Sequence, residues 1–253
     1  MKVKCVWEHN GDDSILYASN FVGAFTRGKS KCEAIGKMSS EISAYLKWKG
    51  ALTWDVPEPE IIQEKVSTLT ISDADSDVLF DEEKKPLSMA EYEELKSLAL
   101  KSARDFLTMY EAVPDKDKSV LPVRQTFYGE IPRSAYEMYE HTKNVNAYYF
   151  GEIGVQADNN GTIEECRKRG FELLEHQPEF LENKVYLGSY DEESHRPAQP
   201  GHRKLRPRCR HRTVLQYPVR RPNTEYEIHL WSQTDIFSAP HRSPQSYVII
   251  PRH

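Results

Sequence analysis

Three times after residue 71 a serine or threonine stands three residues before a glutamate at the start of an amphipathic stretch. The pairs are Ser88 with Glu91, Ser134 with Glu137, and Thr162 with Glu165. In such a capping box the hydroxyl accepts a hydrogen bond from the third helical amide, and the carboxylate accepts one from the cap amide. The pattern therefore predicts three helices, over about 88–112, 134–154 and 162–176. Their apolar stripes must pack together, which constrains the fold of this half of the chain.

The first 71 residues predict a small α/β unit. Alternating apolar and polar residues indicate strands over 2–8, 14–19, 21–26 and 60–71, and helical spacing indicates a helix over 30–49. The apolar stripe of that helix consists of Ala34, Ile35, Met38, Ile42, Tyr45 and Leu46. One amphipathic helix after three strands favours a sheet with the helix on one face.

The stretch SNFVGAFTRGKS followed by KCEAIGKMSSEISAYL, residues 19–46, resembles the HicB-like fold. The resemblance implies that residues 1–71 form a partial ferredoxin-like unit, a regulatory module that pairs with a protein partner and catalyses no reaction. Antitoxins of that family often add a DNA-binding segment, but no helix-turn-helix pattern follows the unit here. A purely structural α/β unit is the alternative. Residues 72–86 are acidic and poor in apolar side chains, so we expect a solvated linker there.

His141 is the one candidate metal ligand in the helical part of the chain. The helix over 134–154 has an apolar stripe of Met138, His141, Val145, Tyr148 and Tyr149. This spacing predicts that the His141 ring points into the helical bundle, near tyrosine side chains. Two interpretations remain open: a core histidine hydrogen-bonded to a tyrosine hydroxyl, or a neutral imidazole that binds a metal ion.

The order of helix, long loop, helix with a histidine, short turn and helix resembles the DinB superfamily of four-helix bundles. The resemblance covers roughly residues 86–190 and centres on PRSAYEMYEHTKNVNAYYFGEIG, residues 132–154. It implies a divalent metal (nickel, zinc or iron) held by three histidines, and thiol-dependent transferase or isomerase chemistry on a small thiol. One ligand of that family lies on the second helix, and His141 matches it. The other two form an HxxxH pair on the fourth helix.

Residues 193–253 depart from this pattern. Residues 194–253 contain 11 Lys+Arg against 3 Asp+Glu, with 8 prolines, and no HxxxH occurs anywhere in the chain. Prolines oppose a continuous helix, so a fourth helix is not recognisable. A tail translated in a shifted reading frame, a disordered Arg/Pro segment and a basic segment that binds nucleic-acid phosphates are three alternatives. Because two ligands lack a counterpart, we expect weak or no metal binding and no appreciable thiol-transferase activity.

The sequence as a whole predicts an α+β fold: a HicB-like unit at 1–71, an acidic linker at 72–86, an incomplete DinB-like helical domain at 87–192 and an irregular tail. No apolar run approaches the length of a membrane-spanning helix, so no membrane partner is expected. Four cysteines without paired spacing favour a reduced, cytoplasmic environment. A homodimer is compatible with this organisation, and the composition before residue 193 does not favour nucleic-acid binding.

Overall fold

The computed structural model describes residues 1–191 except 52–54, 70, 72–75, 77, 120 and 127–128, together with residues 205–209. The described chain has a mixed α+β fold with a four-stranded sheet and four α-helices. None of these helices combines the length and the apolar character needed to cross a lipid bilayer.

The sheet is formed by β1 (Lys2–His9), β2 (Ser14–Ala18), β3 (Phe25–Gly28) and β4 (Glu58–Val66). Its strand order is β3-β2-β1-β4; β1 and β2 are antiparallel, as are β2 and β3, whereas β4 runs parallel to β1. The sequence placed β3 at 21–26, four residues too early. Residues 19–24 instead form a tight turn, in which Gly23 has a φ of 95° and the Ala24 carbonyl accepts from the Ala18 amide.

Helix α1 (Lys31–Lys49) crosses between β3 and β4 and covers one face of the sheet. The Ser30 side chain caps its first turn by accepting from the Glu33 amide, and Gly50, with a φ of 81°, ends it. Its buried residues are Ala34, Met38, Ile42, Tyr45 and Leu46, which pack on Val3, Cys5, Leu16 and Ala18 of the sheet. The apolar stripe predicted for this helix is therefore confirmed, except that Ile35 is only partly buried.

The opposite face of the sheet is covered by residues from the segment that the sequence assigned to a solvated linker. Val78 and Phe80 are buried, and together with Ile71 they pack on Val6, Ile15 and Tyr17. The expectation of a solvated linker over 72–86 is wrong for these residues. Two apolar side chains from this acidic stretch contribute to the cover of the sheet face together with Ile71, and the acidic residues around them obscured this role.

Three helices follow: α2 (Met89–Ala112), α3 (Ala135–Gly151) and α4 (Ile163–Glu175). All three predicted capping boxes are present, with both hydrogen bonds of each box formed. Between α2 and α3 lies a short hairpin of β5 (Gln125–Thr126) and β6 (Gly129–Glu130). Local side-chain chemistry at the helix starts thus predicted these boundaries correctly.

The three helices share two apolar clusters. The larger contains Tyr92, Leu98, Ala99, Phe150, Ile153, Val155, Phe171 and Leu174. The second contains Ala103, Phe106, Val113, Ala135, Met138, Tyr139 and Ile163. The Tyr139 hydroxyl also accepts a hydrogen bond from the Ile163 amide at the start of α4, 3.1 Å away. Side chains of α3 therefore contribute both to the core and to the capping of its neighbour.

Trp48, near the end of α1, joins the α/β unit to the helices. Its side chain packs against the larger helical cluster and also against the apolar cluster between α1 and the sheet. Its Nε1 donates to Oδ2 of Asp105 on α2 at 2.6 Å, and Lys101 lies over its ring, 5.0 Å from the centroid. The two units that the sequence separated therefore share a direct contact through α1 and α2.

After α4 the chain forms a two-stranded antiparallel sheet of β7 (Val185–Asp191) and β8 (Leu205–Cys209). The expectation of an irregular tail from residue 193 onwards is therefore wrong for residues 205–209. A strand at a sheet edge tolerates a proline better than a helix does, so an arginine-rich sequence with a proline can form such a strand. The other residues of the 193–253 tail lie outside the described part of the chain.

Candidate functional site

His141, the metal ligand that the sequence suggested, lies on the solvent-accessible side of α3. The prediction that its ring points into the bundle is wrong. Enough protein nevertheless surrounds the ring that desolvation lowers the pKa of His141 below 6.5. His141 therefore lies at the margin of the helical unit, partly accessible to water and partly surrounded by protein.

The face of α3 that packs inwards is rotated from the predicted stripe by about one residue step. Its buried residues are Ala135, Met138, Tyr139, Asn146 and Phe150. Asn146 is a polar residue in this core because its side-chain amide donates to the carbonyl oxygens of Asp158 and Cys166, at 3.2 and 3.3 Å. The sequence pattern could not show that an asparagine belongs to the inner face, so Val145 and His141 were assigned to it instead.

In the part of the chain that the structure describes, no three His, Cys, Asp or Glu side chains come together as a group that could hold a metal ion. His176, the other histidine of the helical unit, hydrogen-bonds through Nδ1 to the Glu172 carbonyl at 2.6 Å. The described residues on their own therefore do not fit a catalytic metal, which needs about three protein ligands. The six histidines from His195 onwards lie outside those residues.

A second candidate site lies at the edge of the four-stranded sheet formed by β4. This nine-residue strand is the end strand, and among the described residues no further strand pairs with its outer side. At its two ends, the Glu58 amide donates to the Met1 carbonyl, and the Ser67 amide, just after the strand, donates to the His9 carbonyl. These bonds show which backbone groups of the strand face β1.

Backbone groups of successive strand residues point alternately to the two sides of a strand. Counting back from Ser67, residues 65 and 63 face β1, so the amides and carbonyls of Glu64 and Val66 point outwards. Counting forward from Glu58, Pro59 also faces outwards, where its missing N–H breaks no ladder bond. The pairing of β1 with β4 shifts register between Cys5 and Val6 of β1, and this shift separates the part of β4 counted from Glu58 from the part counted from Ser67. Within the described part of the chain, the outer edge is thus open to hydrogen bonding over 61–66 and blocked at Pro59.

Apolar side chains accompany this open edge. Ile62 is 41% exposed and Val66 is 68% exposed, and no residue of β4 is fully buried. Exposed apolar residues are individually ordinary on a protein surface. Beside unpaired backbone groups, however, they form a surface suited to covering by another strand. We call the outer side of residues 61–66 the β4 edge.

Four side chains form a polar and aromatic cluster beside the β4 edge, on the face that α1 covers. Trp7 and His9 of β1 are stacked, with ring centroids 3.8 Å apart and planes 15° apart. His9 Nε2 lies 3.1 Å from Oε1 of Glu64, and Lys31 Nζ lies 4.0 Å from its Oε2. Lys31 also covers the Trp7 ring, 4.6 Å from the centroid. Glu64 is therefore held in place from the β1 and α1 sides.

The β4 edge offers backbone donors and acceptors, two apolar side chains and one positioned carboxylate, which are the elements of peptide recognition by strand addition. Sequence reasoning found the strand but missed its place at the sheet edge. Pro59, inside an otherwise strand-like run, was the available signal. Comparisons of the chain with protein-family models, with curated proteins and with solved structures find no match.

Proposed function

We propose that this protein is a binding module that accepts an extended polypeptide segment as an additional strand along the β4 edge. The observation that carries the proposal is the outward direction of the Glu64 and Val66 backbone groups beside two exposed apolar side chains. The HicB-like resemblance of residues 1–71 supports the same class of function, because it implies a non-enzymatic unit that pairs with a protein.

Backbone hydrogen bonds and apolar contacts at this edge both contribute to binding an added strand. Each backbone hydrogen bond contributes about 0.5–1.5 kcal/mol net. Outward groups on Glu64 and Val66 supply two donors and two acceptors. Covering the exposed surface of Ile62 and Val66 adds a hydrophobic contribution of roughly 25 cal/mol per Å² buried. A strand addition of this size predicts weak, reversible binding by a short peptide.

Titration of the ¹⁵N-labelled full chain with the capped peptide Thr-Val-Thr-Gln-Thr-Val-Thr, followed by NMR, tests the proposal. Strand addition predicts that the largest amide shifts occur at Glu64 and Val66. Val66→Pro removes one outward N–H and should weaken binding at least about fivefold, whereas Val66→Thr keeps the N–H and a β-branched side chain and should bind nearly as the wild type does. Equal binding by the proline and threonine variants would reject the β4 edge as the site.

A second candidate, a DinB-like metal-dependent unit with thiol chemistry, is favoured by the state of His141. Desolvation lowers the pKa of His141, which favours the neutral ring, and the neutral ring is the form that binds metals. Since the described residues supply no three-ligand group, the further ligands would have to come from outside them. The helix order and His141 on the second helix of the unit are the features that the family resemblance offers.

Metal analysis separates this candidate from the first. The full chain is incubated with nickel, zinc or ferrous iron, dialysed, and assayed for bound metal, with His141→Ala and His176→Ala as matched variants. A metal-dependent unit predicts about one equivalent in the wild type and in His176→Ala, and loss in His141→Ala. Metal content that is equal in the two variants would remove His141 from any metal site.

A further inference from the structure

We infer that the segment bound at the β4 edge carries an arginine or lysine opposite Glu64, between two apolar residues at the alternate positions on either side. This inference rests on the proposed function and specifies its partner. Its basis is the charge and the placement of β4 side chains next to the outward backbone groups.

Among the charged residues of the β4 edge, Glu64 is the one whose own backbone N–H and C=O face outwards. Its side chain is 47% exposed although His9 and Lys31 contact the carboxylate. Both contacts come from β1 and α1, and Lys31 Nζ is at the outer limit of an ion pair, 4.0 Å away. An ionised carboxylate has about four acceptor positions. The outer side of Glu64 therefore retains acceptor capacity towards an added strand.

Residues directly opposite each other on paired strands point to the same face and interact. A side chain opposite Glu64 would lie on the α1 face, beside that carboxylate. Its neighbours two positions away would lie beside Val66 on one side and near Ile62 on the other, both apolar and exposed. A cation flanked by apolar residues is the pattern that complements this surface.

The rest of β4 supports a cationic rather than an anionic partner. The strand contains Glu58, Glu60 and Glu64 against Lys65 as its one cation. Glu60 is already paired with Lys2, at 2.9 Å. An acidic peptide or a nucleic-acid phosphate approaching the edge would therefore meet net negative charge, and like charges directly opposite each other destabilise a strand pair.

Three capped peptides that differ only in the central residue test the inference: Thr-Val-Thr-Xaa-Thr-Val-Thr with Xaa as Arg, Gln or Glu. Dissociation constants are measured by NMR titration of the full chain. With the wild type we expect Arg to bind about tenfold more tightly than Glu, with Gln between them. Glu64→Lys should reverse this order. Glu60→Gln, which alters a glutamate that is paired with Lys2, should leave the order unchanged.

The outcomes separate the inference from the function on which it rests. Similar dissociation constants for the three peptides, with shifts at Glu64 and Val66, would overturn the preference for a cation and leave strand addition standing. If the order of affinities for the three peptides is unchanged in Glu64→Lys, a residue other than Glu64 determines the charge preference, and this result would also overturn the inference. Absence of binding by all three peptides up to about 2 mM would overturn the proposed function itself.

Discussion

The ring of Phe150 on α3 packs directly on the backbone of Gly170 on α4. A Cβ at position 170 would lie 2.6 Å from Cζ of that ring, closer than real Cβ contacts allow, and Phe150 is itself only 1% exposed. The glycine is therefore required by the distance between two helices, not by its backbone angles. Phe150 belongs to the larger helical cluster, where its ring also packs edge-on against Phe171 with centroids 5.5 Å apart.

Gly170→Ala should destabilise the protein by about 1–3 kcal/mol, because the added methyl group must displace a buried ring. Denaturant unfolding measures this change. Gly36→Ala is the matched control: Gly36 is also helical, is exposed, and a Cβ added there would have no neighbouring side chain within 4 Å. There the substitution should stabilise by about 0.5–1 kcal/mol through helix propensity. Equal effects at both positions would contradict the packing described.

Phe80→Ala should cost about 3–5 kcal/mol of unfolding free energy, since it removes a fully buried ring from the second face of the sheet. A solvated linker would tolerate the change within about 0.5 kcal/mol. Val123→Ala, at a residue that is 60% exposed, provides the control and should be close to neutral. The two unfolding curves measured side by side distinguish a structural cover from a linker.

Trp48→Phe should destabilise the contact between the α/β unit and the helices by about 1–2 kcal/mol, because Asp105 loses an indole donor. Trp7→Phe is informative beside it, since the buried Nε1 of Trp7 has no hydrogen-bond partner among the described residues. Both substitutions reduce a tryptophan to a smaller ring. A loss of less than about 0.5 kcal/mol in Trp48→Phe would show that the hydrogen bond to Asp105 contributes little.

His141 should titrate below 6.5 in the folded protein, which NMR of the imidazole protons measures directly. Its folded pKa is lowered, so between the folded pKa and 6.5 the unfolded chain binds more protons than the folded one. Stability therefore rises with pH through that window and levels off above it. Relative to His141→Gln, the wild type should gain stability from pH 5 to pH 8. A relative loss would mean that the charged imidazole is stabilised.

The sequence predicted those parts of the fold that local chemistry determines. Each helix start with a hydroxyl and a glutamate three residues later was found, since the capping residues act on their own backbone. The core stripe of α1 was found because its neighbours in the sheet are uniformly apolar. The local pattern could not show tertiary contacts. Val78 and Phe80 cover a sheet face, and the inward-facing amide of Asn146 donates to two carbonyl groups.

The candidate site illustrates the same limit. His141 was selected from spacing alone, and a rotation of α3 by about one residue step was enough to bring it to the surface. The β4 edge depends on strand order, because the same nine residues would be fully paired in the middle of a sheet. Strand order results from pairing between residues some fifty positions apart, such as Lys2 with Glu58, and no local pattern specifies it.

Amide hydrogen exchange at Glu64 and Val66 tests the central claim most directly. In the free protein both amides should exchange rapidly, because they point outwards, while those of Gln63 and Lys65 are protected by β1. Saturation with the central-arginine peptide should slow exchange at Glu64 and Val66 by about tenfold or more, as new backbone hydrogen bonds form. Unchanged exchange at these two amides while the peptide is bound would contradict strand addition at the β4 edge.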